Sequence, residues 1–434
     1  MKKDIERRSD QLEIIKTFGN YVEKWCENTP DRARWLLTKG WEAQDLKFRL
    51  APSKKINPSD QYLARMMMNV MLQPLKHPDQ SVLVSVFTPC ELMQEAGLYP
   101  YNVESFSCYL TASSAERAFL QSAEDSGLSE TLCSYHKTFI GAAEKGLLPK
   151  PKCIVYTNLA CDANLLTFQR LAEFFHVPVF SIDVPSGQTS ENVAYVAAQL
   201  RALRGFLEQT TGHQIDEGRL VQRVKRGYKT LQQFDAFQSA RADRFIPSDL
   251  VSPLYSGMTN NILLGTEEEA LYTEKLLQDV KKAPPKKGKH IYWMHTIPFW
   301  SDAVKDALLL NDDVQIVGCE LSQATDISRH SEDPYEEMAI RLIYHALNGP
   351  ISRRINAGIR HAKQAGADGV VWFNHWGCKH TLGGSRIAKK RFEEAGLPTL
   401  ILDGDGCDRS HGGEGQTSTR LGAFLEMLGD FAHE

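Results

Sequence analysis

A chain of 434 residues is too long for one ordinary core, so two or three domains are expected. Hydrophobic residues make up 42% and charged residues 24%, the balance of a soluble globular protein. A net charge of −4 and a pI near 6.4 give no basic surface, so neither nucleic acid nor an anionic membrane is expected as a partner.

No apolar run reaches the roughly 18 residues that a membrane-spanning helix needs. The start, Met1-Lys-Lys-Asp-Ile-Glu, lacks the apolar core of a signal peptide, and a cytoplasmic location is expected. In that reducing compartment the nine cysteines are buried fillers, metal ligands or reactive thiols rather than a disulfide framework.

Residues 1–80 read as a helical segment. Leu12, Ile15, Phe18, Tyr21, Val22 and Trp25 recur at helical spacing, as do Tyr62, Met66, Met67, Val70 and Met71. The run Met66-Met67-Met68 reads as core packing by flexible side chains. From about residue 82 short β-branched runs alternate with helical patterns: Val82–Phe87, Cys153–Thr157 and Val179–Ile182. That alternation predicts parallel strands joined by crossover helices. Helices over about 189–209 and 216–243 extend this first lobe, residues 81–280. Lys281-Lys-Ala-Pro-Pro-Lys-Lys-Gly-Lys reads as an interdomain linker, with a phosphate-binding patch as the alternative. A second lobe, residues 288–434, restarts the pattern with His290–Met294, Val314–Val317, Gly369–Phe373 and Thr399–Leu402, and a last helix over about 418–431. Both lobes open with a strand and a Thr–Pro helix start, Phe87-Thr-Pro-Cys-Glu and His295-Thr-Ile-Pro. The expected fold is therefore α/β: two similar Rossmann-like or flavodoxin-like parallel-sheet lobes facing across a cleft, preceded by a helical segment.

The cysteines contain no CxxC pair, so any metal site draws on distant segments. Cys90, Cys161, Cys319, Cys378 and Cys407 each follow a predicted strand, the end of a parallel sheet where sites gather. Cys26 and Cys153 read as core. Cys133 precedes a helical pattern, and Thr88-Pro89-Cys90-Glu91 reads as a capping box, so both Cys133 and Cys90 are expected near helix N-termini that favour a thiolate. No GxxxxGK(S/T), GxGxxG, GxSxG or HExxH motif is present, which leaves P-loop hydrolysis and a usual nicotinamide site unsupported. Asp403-Gly-Asp-Gly-Cys-Asp-Arg lacks the closing Glu of a calcium loop and reads as a tight turn lining the cleft.

Leu132-Cys133-Ser-Tyr-His-Lys resembles the Cys-Ser/Ala-Tyr-x-Arg motif of the 2-hydroxyacyl-CoA dehydratase and benzoyl-CoA reductase subunits. Tyr156-Thr-Asn-Leu-Ala-Cys161-Asp and Val371-Trp-Phe-Asn-His-Trp-Gly-Cys378-Lys resemble the second and third cysteine motifs. Val177-Pro-Val-Phe-Ser-Ile-Asp183 is also typical, and Leu402-Asp-Gly-Asp-Gly-Cys-Asp-Arg with Gln416-Thr-Ser-Thr-Arg420-Leu looks like the closing segment. The likeness runs from about residue 82 to 432 and points to the D-component type of 2-hydroxyglutaryl-CoA dehydratase. It implies a [4Fe–4S] cluster in the cleft, held by Cys133, Cys161 and Cys378, with one iron free of protein sulfur. Lys137 stands where arginine is common, and Cys90 and Cys407 are additional thiols. Cys90 is thus a candidate fourth ligand.

The resemblance also implies a radical hydro-lyase. One electron on the thioester carbonyl of a 2-hydroxyacyl-CoA gives a ketyl that expels the α-hydroxyl and acidifies the β-proton. A separate ATP-dependent activator would supply the electron, and a homologous second subunit or a second copy would complete the core. Glu91 and His136 adjoin the proposed cluster segments and are candidates for proton transfer. Three alternatives stay open. One is a homodimeric reductase with an [8Fe–9S] double cubane that uses Cys90 and Cys407. Another is a non-catalytic electron-transfer subunit, and the last an α/β protein whose thiols are merely buried. The motifs name neither the acyl group nor the CoA contacts.

Overall fold

The computed structural model describes residues 2–323 and 325–431. Three helices come first, Lys2–Asn28, Pro30–Leu50 and Pro58–Lys76, the last two with proline in the first turn where no N–H is missed. Val22, Cys26, Leu37, Trp41, Leu63, Met66, Met67 and Met71 are buried in one continuous core with the first sheet. Met66, Met67 and Met68 are thus packing residues. The first apolar stripe is only partly buried: Ile15 and Tyr21 face outward, because the helix packs through Val22 and Cys26 instead.

Two four-stranded sheets follow, both wholly parallel. The first holds β1 (Ser81–Val84), β2 (Tyr99–Asn102), β3 (Cys153–Thr157) and β4 (Val179–Ile182) in the order β2-β1-β3-β4. The second holds β5 (Lys289–Met294), β6 (Val314–Cys319), β7 (Gly369–His375) and β8 (Thr399–Gly404) in the order β6-β5-β7-β8. The two orders are the same, so the pseudo-repeat expected from the Thr–Pro starts is a repeat of topology. Central strands β1, β3, β5 and β7 are buried almost throughout, which explains their unbroken apolar runs.

In each lobe the chain winds one way from the first strand and then the other. The carboxyl ends of β1 and β3, and of β5 and β7, therefore flank a switch point, the place where an open α/β sheet leaves a crevice. β2 carries no sequence signal, being four residues long with Pro100 inside it. Cys319 is the last residue of β6 rather than a residue beyond it. The Lys281–Lys289 stretch is tied down: the Lys286 N–H donates to Asp243 O at 2.8 Å and its ammonium pairs with Asp368 at 3.0 Å. Among the described residues no helix is long and apolar enough to cross a membrane.

The helix Glu267–Lys282 packs against the helices Pro58–Lys76 and Glu217–Arg241 and buries a carboxyl group. Its N-cap, Thr266, accepts the Glu269 N–H, and that turns the Glu269 side chain into the core. One carboxyl oxygen accepts from Thr259 at 3.2 Å and the other has no partner. Burial pushes the Glu269 pKa up to about 8. An unfolded Glu titrates near 4.3, so the folded chain holds a proton that the unfolded chain releases between about pH 4.3 and 8. Across that window rising pH destabilises the fold through this group by up to about 1.4 kcal/mol per unit. Glu269→Gln is expected to flatten the fall in urea midpoint between about pH 5.5 and 8. Parallel midpoint–pH curves for variant and wild type would contradict the assignment.

Candidate functional site

The two switch points open onto one cavity of about 120 Å³, lined from both lobes by Val86, Phe87, Glu104, Cys108, Cys133, Tyr135, His136, Cys161, His295, His375 and Cys378 among others. A wider opening of about 650 Å³ leads outward past Cys133, Cys161, Cys378, Asp162, Asp183 and Lys379.

Each of the three motif cysteines arrives by a different local device. Cys133 is the N-cap residue of the helix Ser134–Glu144. Cys161 sits in the turn after β3, where Asn164 N–H bonds its carbonyl at 3.2 Å and starts the helix Ala163–Phe175. Cys378 follows β7 and caps the short helix Lys379–Leu382. The residue before it, Gly377, has φ +82, and a Cβ there would lie 2.8 Å from the Cys133 Cα. Only glycine lets these two loops meet. All three thiols are half-buried and share the cavity wall.

Each thiol also faces a histidine. Cys133 Sγ lies 3.1 Å from His375 Nε2, Cys161 Sγ 3.5 Å from His136 Nε2, and Cys378 Sγ 3.7 Å from His295 Nε2. Burial, followed by the neighbouring Cys378 and Cys161, pushes the Cys133 thiol well above its ordinary value. Burial and then Cys378 push Cys161 up to about 12. The expectation that a helix N-terminus makes Cys133 a ready thiolate is thus corrected: desolvation and the crowding of thiols outweigh the dipole.

The remaining candidates separate. Cys90 does not line the cavity. It is packed with Val82, Leu92 and Met93, its thiol donates to Thr88 O at 3.2 Å, and burial raises its pKa. The expected capping box is absent, because Thr88 pairs with Ser85 at 2.9 Å and the helix Glu91–Glu95 starts later, with Cys90 as its uncapped N-cap. Glu91 is buried in an ion pair with Arg341 and is not on the cavity wall. Cys407 is held by the hydroxyls of Thr111 at 3.0 Å and Thr138 at 3.3 Å. His136 does line the cavity, with Nδ1 3.0 Å from Thr167 Oγ1. Lys137, the departure from the arginine pattern, is buried and bonds Glu124 at 2.5 Å and the Glu130 carbonyl at 3.0 Å.

Sequence reasoning missed several cavity residues. His295 and His375 end or follow central strands, the same address that singled out the cysteines. Glu104 lies in the first turn of the helix Val103–Ala112, behind the unrecognised strand β2. It accepts from Asn102 at 2.8 Å and from Val86 N–H at 3.4 Å, and burial raises its pKa to about 7. Arg354 is buried in a bidentate pair with Glu320, at 2.5 and 2.6 Å, and also donates to His380 O at 2.8 Å. Glu320 in turn accepts the His295 backbone N–H at 3.1 Å. One buried ion pair thereby fixes the segments that carry His295 and His380.

Among the described residues no group of three or more His, Cys, Asp and Glu side chains is arranged to hold a single metal ion. A cluster asks for something else, because each thiolate binds a different iron and the ligands stand around the group rather than converge on a point. Three thiols from three segments on one cavity wall, two of them held protonated by burial and by their neighbours, fit such a group.

A two-lobed α/β fold with a cysteine-lined interlobe cavity defines the class. Residues 85–428 match the family described as 2-hydroxyglutaryl-CoA dehydratase, D-component, and the chain belongs to that family. It is 21% identical to the (R)-phenyllactyl-CoA dehydratase alpha subunit of Clostridium sporogenes, over 78% of this chain and 87% of that one. Against the beta subunit from the same organism it is 22% identical, over 82% and 94%. It is also 21% identical to a benzoyl-CoA reductase subunit of Thauera aromatica, over 71% and 79%.

Arg354→Met removes one half of a desolvated pair and leaves Glu320 charged and buried. A loss on the order of 3–5 kcal/mol in unfolding free energy is expected. Chemical denaturation checks it, and a change below about 1 kcal/mol, the size of a surface pair, would mean that water reaches the pair.

Proposed function

We propose that this chain is the iron–sulfur subunit of a 2-hydroxyacyl-CoA dehydratase, a hydro-lyase that acts with a homologous second subunit. The observation that carries this reading is the meeting of Cys133, Cys161 and Cys378, two from the first lobe and one from the second, on the wall of one cavity. The likeness to both an alpha and a beta dehydratase subunit supports a partner of the same fold. A separate ATP-dependent activator completes the reading.

Cys133, Cys161 and Cys378 would hold a [4Fe–4S] cluster. When bound, that group supplies a single low-potential electron and a Lewis-acidic iron to the thioester. The chain's own residues do the rest. Val86, Phe87, Met258, Leu321 and Leu347 give the inner cavity an apolar wall that excludes water. The Glu104 carboxyl, with a pKa near 7, can hold or release a proton near neutral pH. It takes the proton-transfer role in preference to Glu91, which Arg341 holds away from the cavity. His136 stays on the wall as a hydrogen-bonding neighbour of Cys161.

Strictly anaerobic purification should yield about four iron and four acid-labile sulfide per chain, lost in Cys133→Ala. About eight would point to a double cubane instead, and none in folded protein would remove the cluster and the radical chemistry together. Glu104→Gln is expected to keep its iron but lower dehydration turnover by about 10²–10⁴-fold. Undiminished turnover would take Glu104 out of the mechanism.

A further inference from the structure

The three Cys–His contacts look alike by distance but differ in which atom each imidazole offers. A neutral ring has one N–H, and the partner of one nitrogen decides what the other presents. His375 Nδ1 accepts the Gly406 backbone N–H at 3.0 Å. An accepting Nδ1 carries no proton, so the ring proton sits on Nε2, 3.1 Å from Cys133 Sγ. Asp405 does not claim that proton. Its Oδ1 is 3.8 Å from Nδ1 and already accepts from Ser134 Oγ, Cys407 N–H and Asp408 N–H at 2.6, 2.8 and 2.7 Å. The ring is 1% exposed and tilted against Tyr135, with centroids 5.2 Å apart, and turning it over would put a C–H in place of the nitrogen that accepts the Gly406 N–H.

His136 has the opposite arrangement. The Thr167 hydroxyl spends its proton on Ala163 O at 2.8 Å and so accepts from His136 Nδ1 at 3.0 Å. That turns an unprotonated Nε2 toward Cys161. For His295, Nδ1 meets the Thr296 hydroxyl at 3.3 Å, which can donate or accept, and leaves the tautomer open.

We propose that His375 donates its Nε2–H to the Cys133 sulfur and so raises the reduction potential of the cluster bound there. The proposal rests on the cluster reading above and adds one specific hydrogen bond to it. An N–H aimed at a ligating sulfur withdraws negative charge from it, and that favours the reduced, more negative state of the cluster. His375 acts through Cys133 and is a positioning residue. Its bond also crosses between lobes, because His375 ends β7 while Cys133 belongs to the first lobe.

The test is an EPR-monitored redox titration of the anaerobic full-length protein as wild type, His375→Phe and His375→Gln. Isotope-labelled histidine NMR on metal-free wild type, assigned by the signal lost in His375→Gln, reads the tautomer independently. His375→Phe should move the midpoint to more negative potential, and His375→Gln, which restores an N–H donor, should move it back toward wild type. The NMR should show the Nε2–H form. An unchanged midpoint in an iron-replete His375→Phe overturns the proposal and leaves the proposed function standing. An Nδ1–H tautomer overturns it even where His375→Phe fails to hold iron. Wild type that binds no iron overturns both.

Discussion

The approach of one backbone loop to another is the constraint on which the site depends. Gly377 brings its loop so close to the Cys133 N-cap that a single Cβ would collide with the Cys133 backbone. That contact joins the lobes where their switch points open. It delivers Cys378, the next residue, to the same wall as Cys133 and Cys161, and sets His375, two residues earlier, beside Cys133 Sγ. The repeated strand order supplies two crevices, and the glycine turns them into one cavity.

Holding that seam shut requires polar groups in places that water does not reach freely. At the seam the Asp405 carboxylate of the second lobe accepts from Ser134 of the first lobe and from the Cys407 and Asp408 N–H groups, while the Arg354–Glu320 pair, wholly within the second lobe, fixes the segments behind it. A buried charge so fully engaged is weak as a net stabiliser, but it penalises any arrangement that leaves it unpaired. The second lobe's face of the seam is thus specified more by the cost of unpairing these groups than by a net attraction between them.

The parts of this fold legible in the sequence were those carried by long apolar runs. β3 and β4 match the runs Cys153–Thr157 and Val179–Ile182, and β5 to β8 differ from expectation only by a residue or two at their ends. β2 was invisible because four residues with an internal proline have no periodicity to read, and Glu104 disappeared with it. The ordered cysteine motifs singled out Cys133, Cys161 and Cys378, which the fold brings together. Local reading failed for Cys90 and Glu91. A Thr–Pro start looks like a capping box in one dimension, but Ser85 takes the Thr88 hydroxyl and Arg341, 250 positions away, takes the carboxylate. Partners that distant leave no local trace.

The raised thiol pKa values of Cys133 and Cys161 bear directly on the proposed cluster. Burial that raises the pKa of Cys133 and Cys161 keeps charge off that part of the wall when no cofactor is bound, and neutral thiols in an apolar wall carry no unpaired charge. In the proposed holoprotein, loading iron would exchange those protons for metal cations, so the same desolvation that opposes thiolates in the metal-free chain would strengthen their attraction to a cationic group. The histidines suit both conditions. Burial keeps His136 and His375 neutral, so neither adds charge to the cavity, yet each can still offer a proton or a lone pair in a direction set by its other nitrogen. A lysine or arginine in their place would hold the thiolates with full positive charge in the metal-free state. Neutral imidazoles would leave that task to the proposed metal cluster.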